Sequence, residues 1–218
     1  MLGPVYGLAE NSVGLAFPPM GRKPIIDRIQ RIALSRDGVA ICAEPDDGTA
    51  LEFVACGQPI PGHEVRIVDD YDSEVPERRE GRLQFRGPSA TSGYFRNEEK
   101  NQTLFSGSFL EIHDRAYLAV GEIYITGRIN DMIIKAGRNI YPHEIEDLVG
   151  EIEDVRKGCV AAVAGINPQA GTEMLVLVAE TRLANQDEKD VLKKRISEIC
   201  ATVLDTPPDV IELVPPRT

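Results

Sequence analysis

"EIYITGRINDMIIKAGRNIYPHEIEDLVGEI", residues 122–152, contains the change of rhythm on which the fold turns. Its first seven residues follow the two-residue period of a strand. From Asn130 the pattern becomes a short apolar run, a glycine and a second run, "NDMIIKAGRNIYP", which predicts a hairpin turning at Gly137. Pro142 has a fixed φ and no N–H to satisfy, so it suits the first turn of a helix, and "PHEIEDLVGEI" reads as that helix. One kind of unit ends near Arg128 and another begins.

Upstream, from Pro59 to Arg128, short apolar runs alternate with turn residues: "HEVRIVDD", "GRLQFRG", "RAYLAV" and "EIYITGR". The near-two period, with Val65, Ile67, Leu83 and Phe85 facing inward, predicts antiparallel strands in a small sheet or barrel. One helix interrupts them in "GYFRNEEKNQTLF", where Asn97 can cap and Glu98 and Glu99 suit the positive end of the helix dipole. Downstream come a strand "KGCVAAVAGI", a turn "NPQAG", a strand "EMLVLVAET" and a final short strand "VIELV". Between the last two strands, "DEKDVLKKRISEICATVL" places Val191, Ile196, Ile199 and Val203 near one helical face behind a capping candidate, Asp187. The expected class is therefore α+β: a β-rich, barrel-like subdomain, then a small mixed α/β domain, joined by a hinge.

Residues 22–37, "RKPIIDRIQRIALSRD", carry five basic and two acidic side chains, a local positive excess in a chain of net charge −11. Ile25, Ile29 and Ile32 fall at helical spacing, so a surface helix is expected here, with the alternative use of steering an anionic partner. The net charge itself disfavours nucleic acid as a partner, because phosphates would be repelled. Cys42, Cys56, Cys159 and Cys200 lie far apart and read as reduced, small core residues rather than a disulfide or zinc framework. The three histidines, His63, His113 and His143, are equally scattered and read as surface or hydrogen-bonding residues. No apolar run has the length of a membrane span, and a cytoplasmic protein is expected.

Four stretches together resemble the adenylate-forming enzymes, ligases that activate a carboxylic acid with ATP as an acyl-AMP and pass it to a thiol. They are "YGLAE", "GRLQFRGPSATSGYF", "HDRAYL" and "YITGRINDMIIKAGRNIYPHEIE", and the first and last look most like the fatty-acyl-AMP ligase and acyl-CoA ligase branch. The resemblance implies that residues 1–128 form the C-terminal part of a large AMP-binding domain, β-rich from about 58, and residues 129–218 a small mobile domain. It also implies roles. Tyr6 lies against adenine, where an aromatic face suits a purine; Asp114 receives the ribose hydroxyls on its two oxygens; Arg128 approaches the ribose and phosphate. Glu10 sits near the Mg2+ that accompanies the ATP phosphates. Asn130 occupies the hinge position, where aspartate or lysine is common, and Gly137 lines the tunnel by which a thiol arrives.

Two departures are visible. Ala9 stands where threonine is frequent, and Ile112 and His113 precede Asp114 where a small residue and glycine are usual. The family's Ser/Thr/Gly-rich phosphate loop and its catalytic lysine have no counterpart in these 218 residues, so the expectation is a C-terminal fragment that forms no acyl-AMP by itself. Expected partners of the parent enzyme are a fatty or other carboxylic acid and CoA or an acyl carrier protein, with ATP and Mg2+ as cofactors. A non-catalytic module binding a carrier protein or nucleotide is the alternative.

Overall fold

The computed structural model describes residues 3–135, 137–166 and 173–217, and the chain divides into two compact units, Met1–Asn130 and Asp131–Thr218. The predicted turn at 167–171 lies outside the described residues.

The first unit begins with a 3-10 turn, Ala9–Asn11, and then β1 (Ala16–Phe17), β2 (Ile26–Ile29), α1 (Arg31–Asp37), β3 (Leu51–Val54) and β4 (Gln58–Pro59). There follow β5 (Glu64–Val68), β6 (Gly81–Arg86), α2 (Glu98–Leu104), β7 (Phe105–Ser106), β8 (Phe109–Ala119) and β9 (Glu122–Arg128). Small two-stranded sheets pair β1 with β4 and β2 with β3. The main sheet runs β5-β6-β8-β7, with β9 also pairing β8, all antiparallel, and it curls into half a barrel. Alternation decides which face is buried: Ile67, Leu83 and Phe85 are inside with Leu15 and Ile123, while Val65 packs against that core half-buried. Asn97 caps α2 as its side chain predicts, accepting the Lys100 N–H at 3.2 Å.

The expected helix over 22–37 is half strand. Residues 26–29 pair in register with β3, Ile26 opposite Val54 and Ile29 opposite Leu51, and a helix of seven residues starts only at Arg31. Ile29 is fully buried, whereas Ile25 and Ile32 are exposed. Helical spacing was satisfied by isoleucines that also fit a strand, and the partner strand more than twenty residues away decides between them. Three of its basic side chains have partners: Arg22 pairs with Glu122, Arg28 with Glu52 and the Pro45 and Asp47 carbonyls, and Arg31 donates to the Thr49 carbonyl.

The second unit contains β10 (Ile133–Lys135) and β11 (Arg138–Ile140), paired as the predicted hairpin, with Gly137 at φ +73°. Then come α3 (Pro142–Gly150), β12 (Val155–Ile166), β13 (Glu173–Thr181), α4 (Gln186–Leu204) and β14 (Val210–Val214). The three-stranded sheet has the order β12-β13-β14, its last pair parallel across the α4 crossover. Ile145 and Val149 of α3, Leu175 and Leu177 of β13, and Leu192, Ile196 and Cys200 of α4 form the core. Two expectations for α4 need correcting. Its cap is Asn185, whose side chain accepts the Asp187 N–H at 2.8 Å, and its buried ridge is Leu192, Ile196, Cys200 and Leu204, spaced four apart. Val191 is 70% exposed, and Ile199 and Val203 flank the ridge. Of the cysteines expected in cores, Cys56 and Cys200 are buried but Cys42 is exposed and Cys159 half-exposed. No helix among the described residues is long and apolar enough to cross a membrane.

Candidate functional site

The segment around Tyr6 is fixed by its backbone. Tyr6 and Ala16 exchange N–H···O bonds at 3.1 and 3.0 Å, and Tyr6 and Leu8 pack half-buried on the main core. Gly7 is required there: a β-carbon on it would fall 1.6 Å from the Val13 carbonyl oxygen. The chain then turns through Ala9–Asn11, which presents Glu10.

A second buried group holds that turn. Asn11 is 1% exposed; its side-chain N–H donates to the Gly14 carbonyl at 2.8 Å, and its oxygen accepts the Ser89 hydroxyl at 3.0 Å. His63 Nε2 lies 2.7 Å from the Ser89 hydroxyl and 3.1 Å from the same Asn11 oxygen. The Thr91 N–H donates to the Glu10 carbonyl at 2.7 Å, and the Tyr94 hydroxyl donates to the Glu10 carboxylate. That bond to a carboxylate pushes the Tyr94 pKa up to about 12, so the hydroxyl is a donor under all ordinary conditions. Sequence reasoning missed Tyr94, His63 and Ser89 as supports. Tyr94 and Ser89 lie in the "GPSATSGYF" stretch, whose cluster of hydroxyls is the signal in the sequence that such supports are present.

Asp114 and Arg128 face each other across the β8–β9 pairing, with the Arg128 Nε 3.7 Å from Asp114 Oδ1. The Tyr6 hydroxyl donates to the other oxygen, Oδ2. Burial pushes Tyr6 well above the ordinary tyrosine range, and the adjacent Asp114 charge pushes the same way, so Tyr6 stays protonated. Burial also raises Asp114 above the usual carboxylate range; the Tyr6 hydrogen bond and Arg128 oppose that, while Glu10 adds to it.

These groups line one cavity of about 580 Å³, with Tyr6, Glu10, Asp114, Arg128 and Asn130 all on its wall. Asn130 is the last residue of the first unit and sits in a 3-10 turn, Ile129–Asp131. Gly137 belongs to the second unit, at its hairpin turn. The lining offers an aromatic ring, a carboxylate of raised proton affinity, a guanidinium that is 74% exposed, and a second carboxylate on a separate turn. Such a set can take a flat base, a diol and an anionic group together. Among the described residues no group of three or more His, Cys, Asp or Glu side chains is placed to hold a metal ion.

The bend that delivers Asp114 is irregular. Between β6 and β8 the register slips: Arg82 faces Arg115 and Gln84 faces Glu111, so 112–114 together oppose Leu83. His113 takes φ +58°, in the left-handed region where glycine is at ease. The residue type departs from the pattern the sequence resembles, and the backbone shape that a glycine would favour is present.

The AMP-binding enzyme family matches residues 2–95 of the chain. A Caulobacter vibrioides protein named as an acyl-CoA synthetase is 34% identical over 199 residues, which take in 90% of this chain and 34% of that protein. The Mycobacterium tuberculosis protein named as the fatty-acid–CoA ligase FadD21 is 34% identical over 216 residues, 90% of this chain and 36% of its own length. A structure from studies of fatty acyl-adenylate ligases of E. coli and L. pneumophila matches with a TM-score of 0.87 at 29% identity, covering 99% of this chain and 38% of the other. McyG A-PCP complexed with phenylalanyl-adenylate matches at 0.76 and 28%, covering 98% and 35%. The chain thus spans about a third of the length of these relatives. With the matched family, the named ligases and the shared architecture pointing one way, the chain belongs to the adenylate-forming, AMP-binding enzyme family, on its acyl-CoA and fatty-acid ligase side.

Proposed function

We propose that this chain supplies the adenosine-facing wall and the mobile small domain of a ligase that joins a fatty or other carboxylic acid to AMP. The full enzyme would convert acid and ATP into acyl-AMP and pyrophosphate, then transfer the acyl group to the thiol of CoA or of a carrier protein's phosphopantetheine. In this reading Asp114 accepts the two ribose hydroxyls, Tyr6 lies against adenine, and Arg128 meets the ribose and phosphate. The supporting observation is the convergence of Tyr6, Glu10, Asp114 and Arg128 on one cavity of a single unit. Asn130 acts as the hinge between residues 1–128, the end of the large domain, and 129–218, the small one. Gly137 contributes backbone to the thiol tunnel.

Mg2+ fits this site only as a partner of phosphates. Glu10 provides one carboxylate, one of whose oxygens already accepts from Tyr94, and Mg2+ commonly takes one or two carboxylates together with substrate phosphates. When bound, the ion would neutralise phosphate charge; Glu10 would hold it, and Tyr94 would hold Glu10.

The chain alone is expected to bind nucleotide without turning it over, since the sequence holds no glycine-rich loop ending in Lys-Ser or Lys-Thr. Titration of the chain with 5′-AMP tests the reading. Binding should weaken on Asp114→Asn and when 2′,3′-dideoxy-AMP replaces AMP. Equal affinity for the two ligands, or sustained pyrophosphate release from ATP, Mg2+ and fatty acids, would contradict it.

A further inference from the structure

Asp114 owes its direction to the residue before it, and that residue is held by a side chain outside the cavity. His113 has a β-carbon in the left-handed region, a conformation that crowds the following carbonyl, and it must be kept there by its surroundings. Its backbone N–H donates to Glu111 Oε1 at 3.3 Å. Glu111 is 6% exposed, and its other oxygen accepts from Arg82 Nη1 at 2.5 Å and Gln84 Nε2 at 3.1 Å, both on β6. These donors are fixed in turn. Arg82 also reaches the Asp72 carboxylate and the Asp69 carbonyl, and the Gln84 oxygen accepts from Arg66 at 2.9 and 2.7 Å.

We propose that Glu111 is a positioning residue for nucleotide binding: anchored on β6 by Arg82 and Gln84, it clamps the His113 amide so that the bulge stays closed and Asp114 points into the cavity. The proposal rests on the nucleotide reading above. Glu111 does not line the cavity, so its effect runs through His113. A carboxylate is needed because two acceptor oxygens serve three donors; an amide at 111 would offer one acceptor oxygen and set its own N–H against the others. Where the pattern this chain resembles uses glycine, which adopts the left-handed region freely, this chain uses histidine and a buried acid.

The test compares the chain with E111Q, H113G, the E111Q/H113G double variant and D114N. The readouts are affinity for 5′-AMP, hydrogen exchange of the His113 amide by NMR, and thermal melting. In E111Q the His113 amide should exchange faster and AMP should bind about tenfold more weakly, the size that outer partners of metal ligands commonly carry. H113G, which removes a side chain lining the cavity, sets the reference affinity against which the double variant is read. In the double variant glycine holds the turn without the clamp and should restore affinity, which a general loss of stability would not allow. Unchanged affinity in E111Q, or a double variant as weak as E111Q, would overturn the proposal. Should E111Q fail to fold, E111D keeps the charge beside Arg82 and withdraws the oxygen from His113, and the same outcomes apply. If D114N binds AMP as tightly as the unsubstituted chain, the nucleotide reading has failed; the His113 exchange rate still decides the clamp, and an unchanged rate in E111Q refutes it.

Discussion

Replacing Tyr6 by phenylalanine separates the two things that tyrosine is proposed to do. The ring remains, so any stacking on adenine is kept, and only the hydroxyl that donates to Asp114 Oδ2 is lost. Asp114 is raised above the ordinary carboxylate range by burial, against the opposing pull of that hydrogen bond and of Arg128 at 3.7 Å. The bond stabilises the ionised form, so removing it leaves burial less opposed and moves the Asp114 pKa further up. A hydrogen bond to a charged group is worth about 1.5–3 kcal/mol. This pair is only partly buried, which favours the low end, and about 1.4 kcal/mol corresponds to roughly one pH unit. The sign for stability follows. A carboxyl whose folded pKa exceeds its unfolded value of 3.8 contributes stability fully below that value and loses it as pH rises through the folded pKa. Tyr6→Phe extends that window at its upper end. Carbon-13 NMR titration of the Asp114 carboxyl in both proteins reads the shift directly. AMP affinity of the variant should match the parent's once the pH is high enough to ionise Asp114 in both, and fall away at a higher pH than the parent's on acidification. A variant in which Asp114 titrates at the same or lower pH, or whose AMP affinity is reduced equally at every pH, would refute the reasoning.

Gly7→Ala places a methyl group against the Val13 carbonyl and should destabilise the first unit by roughly 1–3 kcal/mol or more in a urea melt, with loss of AMP binding. In the cores, Phe85→Ala should cost about 3–5 kcal/mol and Leu177→Ala about 2–5 kcal/mol by chemical denaturation, since both side chains are fully buried. A thiol reagent should modify Cys42 in the native protein and reach Cys200 only on unfolding; Cys200 is buried among α4 neighbours and its pKa is pushed up to about 11.

The fold was legible where local pattern and tertiary partner demand the same thing. Val65, Ile67, Leu83 and Phe85 alternate with polar residues because they share the face that meets the core, Asn97 is followed by the acids its helix favours, and Pro142 can occupy only a few positions in a helix. It was illegible where one pattern serves two structures. Ile25, Ile29 and Ile32 have helical spacing, yet 26–29 belong to a strand because Leu51–Val54 lie beside them, a fact no window around residue 29 contains. The same distance effect applies to part of the positive excess over 22–37. Summed along the chain it is a basic patch; in the fold Arg22 and Arg28 pair with Glu122 and Glu52, while Arg28 and Arg31 also donate to neutral carbonyls of the 45–49 loop, which fix the side chains and leave their charge in place.

For the site, residue type was readable and aim was not. Tyr6, Glu10, Asp114 and Arg128 could be picked out because their stretches resemble those of the adenylate-forming enzymes, and the cavity brings all four together. Their directions depend on residues that carry no chemistry of their own: Gly7 admits the Val13 carbonyl, Tyr94 holds Glu10, and Glu111 holds the amide before Asp114. The histidine at 113 shows why such supports escape a motif. By type it counts against a glycine turn, since a β-carbon disfavours positive φ; by environment it adopts that turn because a buried acid fixed from the neighbouring strand accepts its N–H. A backbone conformation can therefore be preserved while the residue that usually encodes it is replaced, provided the stabilising contact moves from the residue's own freedom to a partner, and that partner is visible only once β6 and β8 are paired.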